Sequence, residues 1–242
     1  MNVLAIGAHP DDLEFMCGGT LLKCRDRGDR IFIALTTSGN TGSNVIPTKE
    51  ENAAVREAEQ LACCEHYGAE AMFLRFDDEG LLDTPETRRA VLNAIRWADP
   101  DLILCNPPWD PSPDHGMTGK LVTEVLLCSG GKLHPSDYPP IKKVPSVFFY
   151  CEDGAQNIKP DIYVDITGQI EEKAQMVLLH KSQFSWIGDV RGSTDDEEAK
   201  SYFSDLCLTK SRYMGIQADC DYAEGFIAHM ILGYAPNYKL LP

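Results

Sequence analysis

The sequence predicts an α/β protein: a Rossmann-like sheet, mainly parallel and partly mixed, with helices on both faces. Two observations predict it. Apolar runs of strand length alternate four times with stretches of helix length, and such alternation builds right-handed βαβ crossovers. The segments behind the first and fourth strands both carry histidine and aspartate, as expected where ligands bind outside the carboxyl ends of parallel strands.

The elements follow in order. "NVLAIG" (2–7) is apolar throughout, as a strand covered on both faces must be. Helical spacing of apolar residues over 13–27 predicts a helix that stops at Gly28. "RIFIALTT" (30–37) is the second strand, and the Gly/Asn/Ser/Thr-rich stretch from Ser38 to Thr48 is too polar to pack. "EENAAVREAEQLACCEHYG" predicts an amphipathic helix ending at Gly68, and "AMFLRF" (71–76) the third strand. A helix over 85–98 leads to the fourth strand, "DLILCN" (102–106). The proline-rich "PPWDPSPDHGMTG" then separates that strand from a helix over 117–128. "SVFFYC" (146–151) and "DIYVDI" (161–166) extend the sheet, with a helix over 168–182 and a last helical piece near 220–232. The acidic "GDVRGSTDDEEAKS" (188–201) reads as a solvated loop. With neither repeat nor linker, residues 1–242 are expected to form one domain.

Composition narrows the partners. The chain has 22 Lys+Arg against 37 Asp+Glu, a net charge of −15, which opposes non-specific binding to nucleic acid or to an anionic membrane. A small neutral or locally cationic molecule fits better. The nine cysteines are odd in number, lack any Cys-x-x-Cys pair and sit mostly among apolar residues, which suits a reducing compartment. No signal-peptide pattern and no apolar run near the ~18 residues of a membrane span is present, so a cytoplasmic protein is expected. A homo-oligomer is compatible with all of this.

In a sheet of spatial order 3-2-1-4, strands 1 and 4 flank the point where the winding reverses. "GAHPDDLEF" (7–15) follows strand 1 and "DPSPDH" (110–115) follows strand 4. Together they bring His9, Asp11, Asp12, Asp114 and His115 to one crevice. His9 and Asp12, three apart across a tight turn, and His115 make two imidazoles and one carboxylate with a position left open. That set suits a catalytic Zn²⁺, with another divalent ion compatible. Asp11 lies beside a ligand and can act as general base towards a water there. Either aspartate alone could simply cap the following helix, with Glu14 favouring its start, and "PD" before a helix is an ordinary start signal. Their joint placement at the switch point favours the metal.

These residues resemble the family of zinc-dependent N-acetylglucosaminyl deacetylases related to LmbE and PIG-L. "AHPDDLE" (8–14) carries the likeness, with "REAE" (56–59), "DEGL" (78–81), "KAQMVLLHKSQ" (173–183) and "YAEGF" (222–226) in support. Members deacetylate glucosaminyl intermediates of mycothiol and bacillithiol synthesis, or diacetylchitobiose. The resemblance implies metal ligation by His9, Asp12 and His115, with Asp11 as base, and Arg56 and Asp78 holding the sugar or what is attached to it. It implies a hydrolase that removes an acetyl, or another small acyl group, from the nitrogen of an amino sugar or its conjugate.

One position departs from the family. Its second motif usually reads His-Pro-Asp-His, and here Ser112 replaces the first histidine, which is expected to stabilise the oxyanion or protonate the leaving amine. A serine hydroxyl donates a hydrogen bond at this substrate-facing position but carries no positive charge near pH 7. A slow or non-catalytic metal- or sugar-binding member is therefore the rival reading. A nucleotide-binding module is disfavoured, because carboxylates stand where Gly-x-Gly-x-x-Gly would follow strand 1. By residue type, His134 and His180 are candidates to replace the missing imidazole, and His180 in "HKSQ" is the better placed. His66 and His229 have no assignment.

Overall fold

A computed structural model describes residues 1–151, 159–184 and 196–242. The first half is four β-α units: β1 (Asn2–Gly7), α1 (Asp12–Asp26), β2 (Arg30–Thr37), α2 (Lys49–Tyr67), β3 (Glu70–Phe76), α3 (Pro85–Ala98), β4 (Leu102–Cys105) and α4 (Pro113–Leu126). β5 (Ser146–Tyr150), β6 (Ile162–Asp165), α5 (Ile170–Val177), α6 (Asp196–Ala218) and β7 (Ala223–Ala228) follow. The sheet runs β3-β2-β1-β4-β5-β7-β6. The first five strands are parallel, and β7 lies antiparallel between β5 and β6.

Alternation along the central strands divides the core in two. Val3 and Ala5 pack with Leu13, Leu21, Cys63 and Met176 on the face covered by α1, α2 and α5. Leu4 and Ile6 pack with Val91, Ile95, Leu121 and Val122 beneath α3 and α4. Burial on both faces is what makes "NVLAIG" apolar throughout rather than alternating. All nine cysteines are free thiols, and no helix among the described residues is long and apolar enough to cross a membrane.

The C-terminal third corrects the sequence reading. The expected helix near 220–232 is strand β7 with its loop; a short apolar run does not distinguish the two by period, and Gly225 marks a close approach, since a Cβ there would lie 2.5 Å from Pro160 Cγ. The expected helix over 168–182 ends at Val177, and tight turns then carry His180 inward. Of the acidic 188–201 stretch, residues 188–195 lie outside the described residues. From Asp196 onward it is not a loop but the start of α6, where acidic side chains are favoured. Helix α4 begins at Pro113, four residues before the expected start, with Ser112 at its N-cap.

Helix α1 is broken at Cys17 (φ −142°, ψ 15°), which leaves backbone groups unpaired inside the protein. Two residues of the C-terminal motifs satisfy them. Glu224 accepts from Gly19 N (2.8 Å) and Thr20 N (2.7 Å), while Lys173 Nζ donates to the Phe15 carbonyl (2.8 Å), to Ser211 Oγ (3.3 Å) and to Glu224 (2.7 Å). Both side chains are buried. Burial opposes the charge on Lys173, but the Glu224 carboxylate outweighs it and raises the ammonium pKa.

Lys173→Met leaves Glu224 as a buried, unpaired charge, so it is expected to cost about 3–5 kcal/mol of stability in urea denaturation. Adding Glu224→Gln should cost less than the sum of the single changes. Additive losses would show that the two side chains do not act as a pair.

Candidate active site

The β1–α1 turn and the loop after β4 meet where the winding reverses. Asp12 Oδ2 accepts from Ala8 N (2.9 Å) and His9 N (3.0 Å), which fixes its carboxylate with Oδ1 turned towards two imidazoles. Oδ1 lies 3.3 Å from His115 Nε2 and 3.7 Å from His9 Nδ1, and those nitrogens are 3.2 Å apart. Zinc bonds of about 2.0–2.1 Å require ligand atoms roughly 3.3 Å apart in a tetrahedron, so the three atoms fit one face of such a site. The three residues line a cavity of about 710 Å³.

The outer imidazole nitrogens are also held. His9 Nε2 lies 2.8 Å from Asp78 Oδ1 and 3.3 Å from Asp114 Oδ2, and His115 Nδ1 lies 3.4 Å from Asp110 Oδ2. Carboxylates in this position fix the ring and its tautomer, leaving the inner nitrogen free to bind a cation. Burial works against protonation of either ring. The surrounding carboxylates win, raising His115 to about 10 and His9 well above the usual histidine range. Burial likewise opposes ionisation of Asp12, yet the two imidazoles hold its carboxyl well below the usual range.

Asp11 occupies an unusual backbone conformation, φ 117° and ψ −27°, that costs a residue with a side chain roughly 1–3 kcal/mol. Its surroundings sustain it. Arg56 Nη2 contacts Asp11 Oδ1 (3.2 Å) and donates to the Pro10 carbonyl (2.5 Å), and the Asp11 N–H donates to Gln60 Oε1 (3.3 Å). Burial raises the Asp11 pKa, and the Arg56 charge opposes that rise. Arg56 Nη1 also donates to the Gly39 carbonyl (2.9 Å). Gly39 has φ 59°, and a Cβ there would lie 2.5 Å from the guanidinium, so only glycine lets the loop close over Arg56.

The cavity is lined by His9, Asp11, Asp12, Arg56, Asp78, Ser112, Asp114 and His115, each named from the sequence as a residue of the crevice or of the substrate site. Asp78 turns one oxygen to His9 and the other to Thr41 Oγ1 (2.7 Å), and Arg56 is engaged with Asp11 and backbone carbonyls. No hydrogen bond occupies the Ser112 hydroxyl among the described residues; its N–H donates to Asp110 Oδ1 (2.9 Å). Neither His134 nor His180 lines the cavity. His134 is exposed elsewhere, and His180 is buried behind the site, 3.1 Å from Glu14 Oε2 and 3.3 Å from Cys63 Sγ. Glu14 in turn accepts from Gln60 (3.0 Å), which links this buried group to the Asp11 backbone.

Comparison with known proteins places the chain in a family. The family model described as PIG-L, GlcNAc-PI de-N-acetylase, matches residues 4–126. The chain belongs to the PIG-L family. Diacetylchitobiose deacetylase of Thermococcus kodakarensis is 29% identical over 247 residues, covering 97% of this chain and 86% of the relative. A probable N-acetyl-α-D-glucosaminyl L-malate deacetylase of Bacillus anthracis is 26% identical, covering 76% and 82%. Among solved structures, N,N'-diacetylchitobiose deacetylase from Pyrococcus horikoshii, complexed with its inhibitor MPG, aligns with a TM-score of 0.80. It is 26% identical, with 94% of this chain and 83% of that one covered.

Several residues of this candidate site were not singled out from sequence. Asp110 is visible only once the loop after β4 is seen to fold back on His115. Gln60 follows Arg56 by one helical turn, a spacing that could have marked it as facing the same side of α2. Phe203, Leu206 and Lys210 line the cavity from α6 at a spacing of three and four, a pattern hidden when the start of that helix is taken for a loop.

The facing nitrogens of His9 and His115 are close enough to share a proton in the metal-free protein. With both rings raised above the usual histidine range, zinc binding is expected to displace about one to two protons per ion, so affinity should fall about ten- to a hundredfold for each pH unit below the raised imidazole values. Competition with a chromophoric chelator between about pH 6 and 8 checks this. Affinity independent of pH, or undiminished in His115→Ala, would contradict the ligand set.

Proposed function

We propose that the protein is a metal-dependent N-deacetylase that removes an acetyl or small acyl group from the nitrogen of an amino sugar or its conjugate, with zinc as the expected ion. One observation carries the reading: three donor atoms spaced for a tetrahedral ion share a cavity with a half-buried carboxylate, that of Asp11, which is not one of them. The deacetylase relatives support it, and the whole chain is taken as one catalytic domain. When bound by His9 Nδ1, Asp12 Oδ1 and His115 Nε2, the ion supplies Lewis-acid polarisation of the amide carbonyl and acidifies a water.

The chain's own groups do the rest. Asp11 accepts a proton from the attacking water and delivers it to the leaving nitrogen, so the C–N bond breaks to give a carboxylate and an amine. Burial raises the Asp11 pKa, which makes its carboxylate a stronger base than a solvated one, and Arg56 holds that carboxylate in place. Asp78, Asp114 and Asp110 orient the two imidazoles. Arg56 and Asp78 thus act first through Asp11 and His9, and touch the sugar with whatever donor or acceptor capacity remains. Ser112, whose hydroxyl has no hydrogen-bond partner among the described residues, can donate to the developing oxyanion from the cavity lining. It donates one neutral hydrogen bond where a charged imidazolium would do more.

Asp11→Asn keeps the shape of the site and removes the base. With metal content unchanged, kcat for amine release from an N-acetylglucosamine conjugate should fall about 10²–10⁴-fold. Full activity in this variant would assign the base elsewhere.

Ser112→His tests the rival reading of a slow or binding-only protein. Restoring a charged donor should raise kcat on the same conjugate, by up to the roughly 10²–10³-fold that one oxyanion donor contributes. An unchanged rate in an active protein would show that the wild-type donors already suffice. A wild type inert on every conjugate, yet active after the change, would favour the binding protein.

A further inference from the structure

The cavity has two unlike sides. Around the His9–Asp12–His115 group its lining is polar, with Asp11, Arg56, Thr41 and Gln183 able to meet an amide and sugar hydroxyls. The lining also has an apolar part: Phe15 and Met16 from the first segment of α1, and Phe203 and Leu206 from α6, with Lys210 one turn further along that helix. An unsubstituted N-acetyl amino sugar, polar over most of its surface, gains less from such a surface than one that carries an apolar substituent.

The wall is built in advance. Phe15 meets the edge of Phe203 at 4.8 Å between ring centroids, and Phe203 meets Phe184 at 5.4 Å. The Phe15 carbonyl is held by Lys173, so the break in α1 and the buried pair that stabilises it set the angle at which Phe15 and Met16 face the cavity. Preformed apolar surface continuous with a catalytic centre gives binding energy only to a ligand that covers it. About 710 Å³ leaves room for more than the reacting group.

We propose that the substrate is an amino sugar bearing an apolar substituent, either an alkyl or aryl group on the anomeric oxygen or an acyl chain longer than acetyl, and that Phe15, Met16 and Leu206 select for it. This rests on the deacetylase reading of the same site. The two sources present the same hydrocarbon chemistry, and separate substrate series tell them apart.

The test uses zinc-loaded protein and kcat/KM for amine release from two series: methyl, butyl and hexyl β-glycosides of N-acetylglucosamine, and the acetyl, butanoyl and hexanoyl amides of glucosamine. One series should rise with chain length by about fourfold for each methylene buried, and which one rises identifies the source. Leu206→Ser should flatten that rise, and Leu206→Met, which keeps the apolar surface, should retain it. If the shortest members are turned over and neither series rises, the inference fails and the deacetylase reading stands. If no member releases amine, the deacetylase reading fails, and dissociation constants by calorimetry decide the wall: tighter binding with chain length supports it, and a flat series overturns it.

Discussion

Two backbone N–H groups at the end of β1 hold one oxygen of Asp12, and the site is arranged around that grip. It fixes the turn between a strand that cannot move and the first residues of a helix. The other oxygen then has one direction to face. Both imidazoles are placed relative to it, His9 from the same turn and His115 from the loop beyond β4, and neither loop alone would complete the set. The parallel sheet is what makes the meeting possible, because β1 and β4 are neighbours although about a hundred residues separate their loops.

Around this centre the carboxylates outnumber the fixed positive charges. Asp11, Asp12, Asp78, Asp110 and Asp114 surround two imidazoles and one guanidinium. Such an excess is costly where water is scarce unless protons or a cation offset it. In the metal-free protein, protons on the histidines do so. A divalent ion would do the same job and free those protons, so the charge balance that would favour a bound cation is the one the histidine protons offset without it.

Much of this was legible in the sequence, and what was not has identifiable causes. β1 to β4 and their helices announce themselves because strands covered on both faces are long apolar runs and the helices between them are amphipathic. His9, Asp11, Asp12 and His115 could be grouped because topology alone brings their loops together. Strand β7 was misread because "AEGFIA" is as short and apolar as a buried turn of helix. The start of α6 was hidden by its own acidic residues. Asp78 and Arg56 were legible as cavity residues but not in their contacts: whether a carboxylate faces a substrate or a neighbouring imidazole depends on how the loop after β3 closes on the turn after β1. The Lys173–Glu224 pair could not be anticipated at all, since it answers a break in α1 that nothing in "DLEFMCGGTLL" requires.

That break has an electrostatic consequence for the candidate metal centre. A continuous helix starting at Asp12 would direct the positive end of its full dipole at the place where a cation is to bind, and would work against it. Interrupting the helix at Cys17 leaves only a single turn beside the site. The longer segment begins at Gly18, and its exposed N–H groups at Gly19 and Thr20 end on the Glu224 carboxylate, inside the protein and away from the histidines. The chain thereby keeps a helix behind its first strand, as the βαβ crossover demands, while the field of that helix terminates on a buried anion of its own.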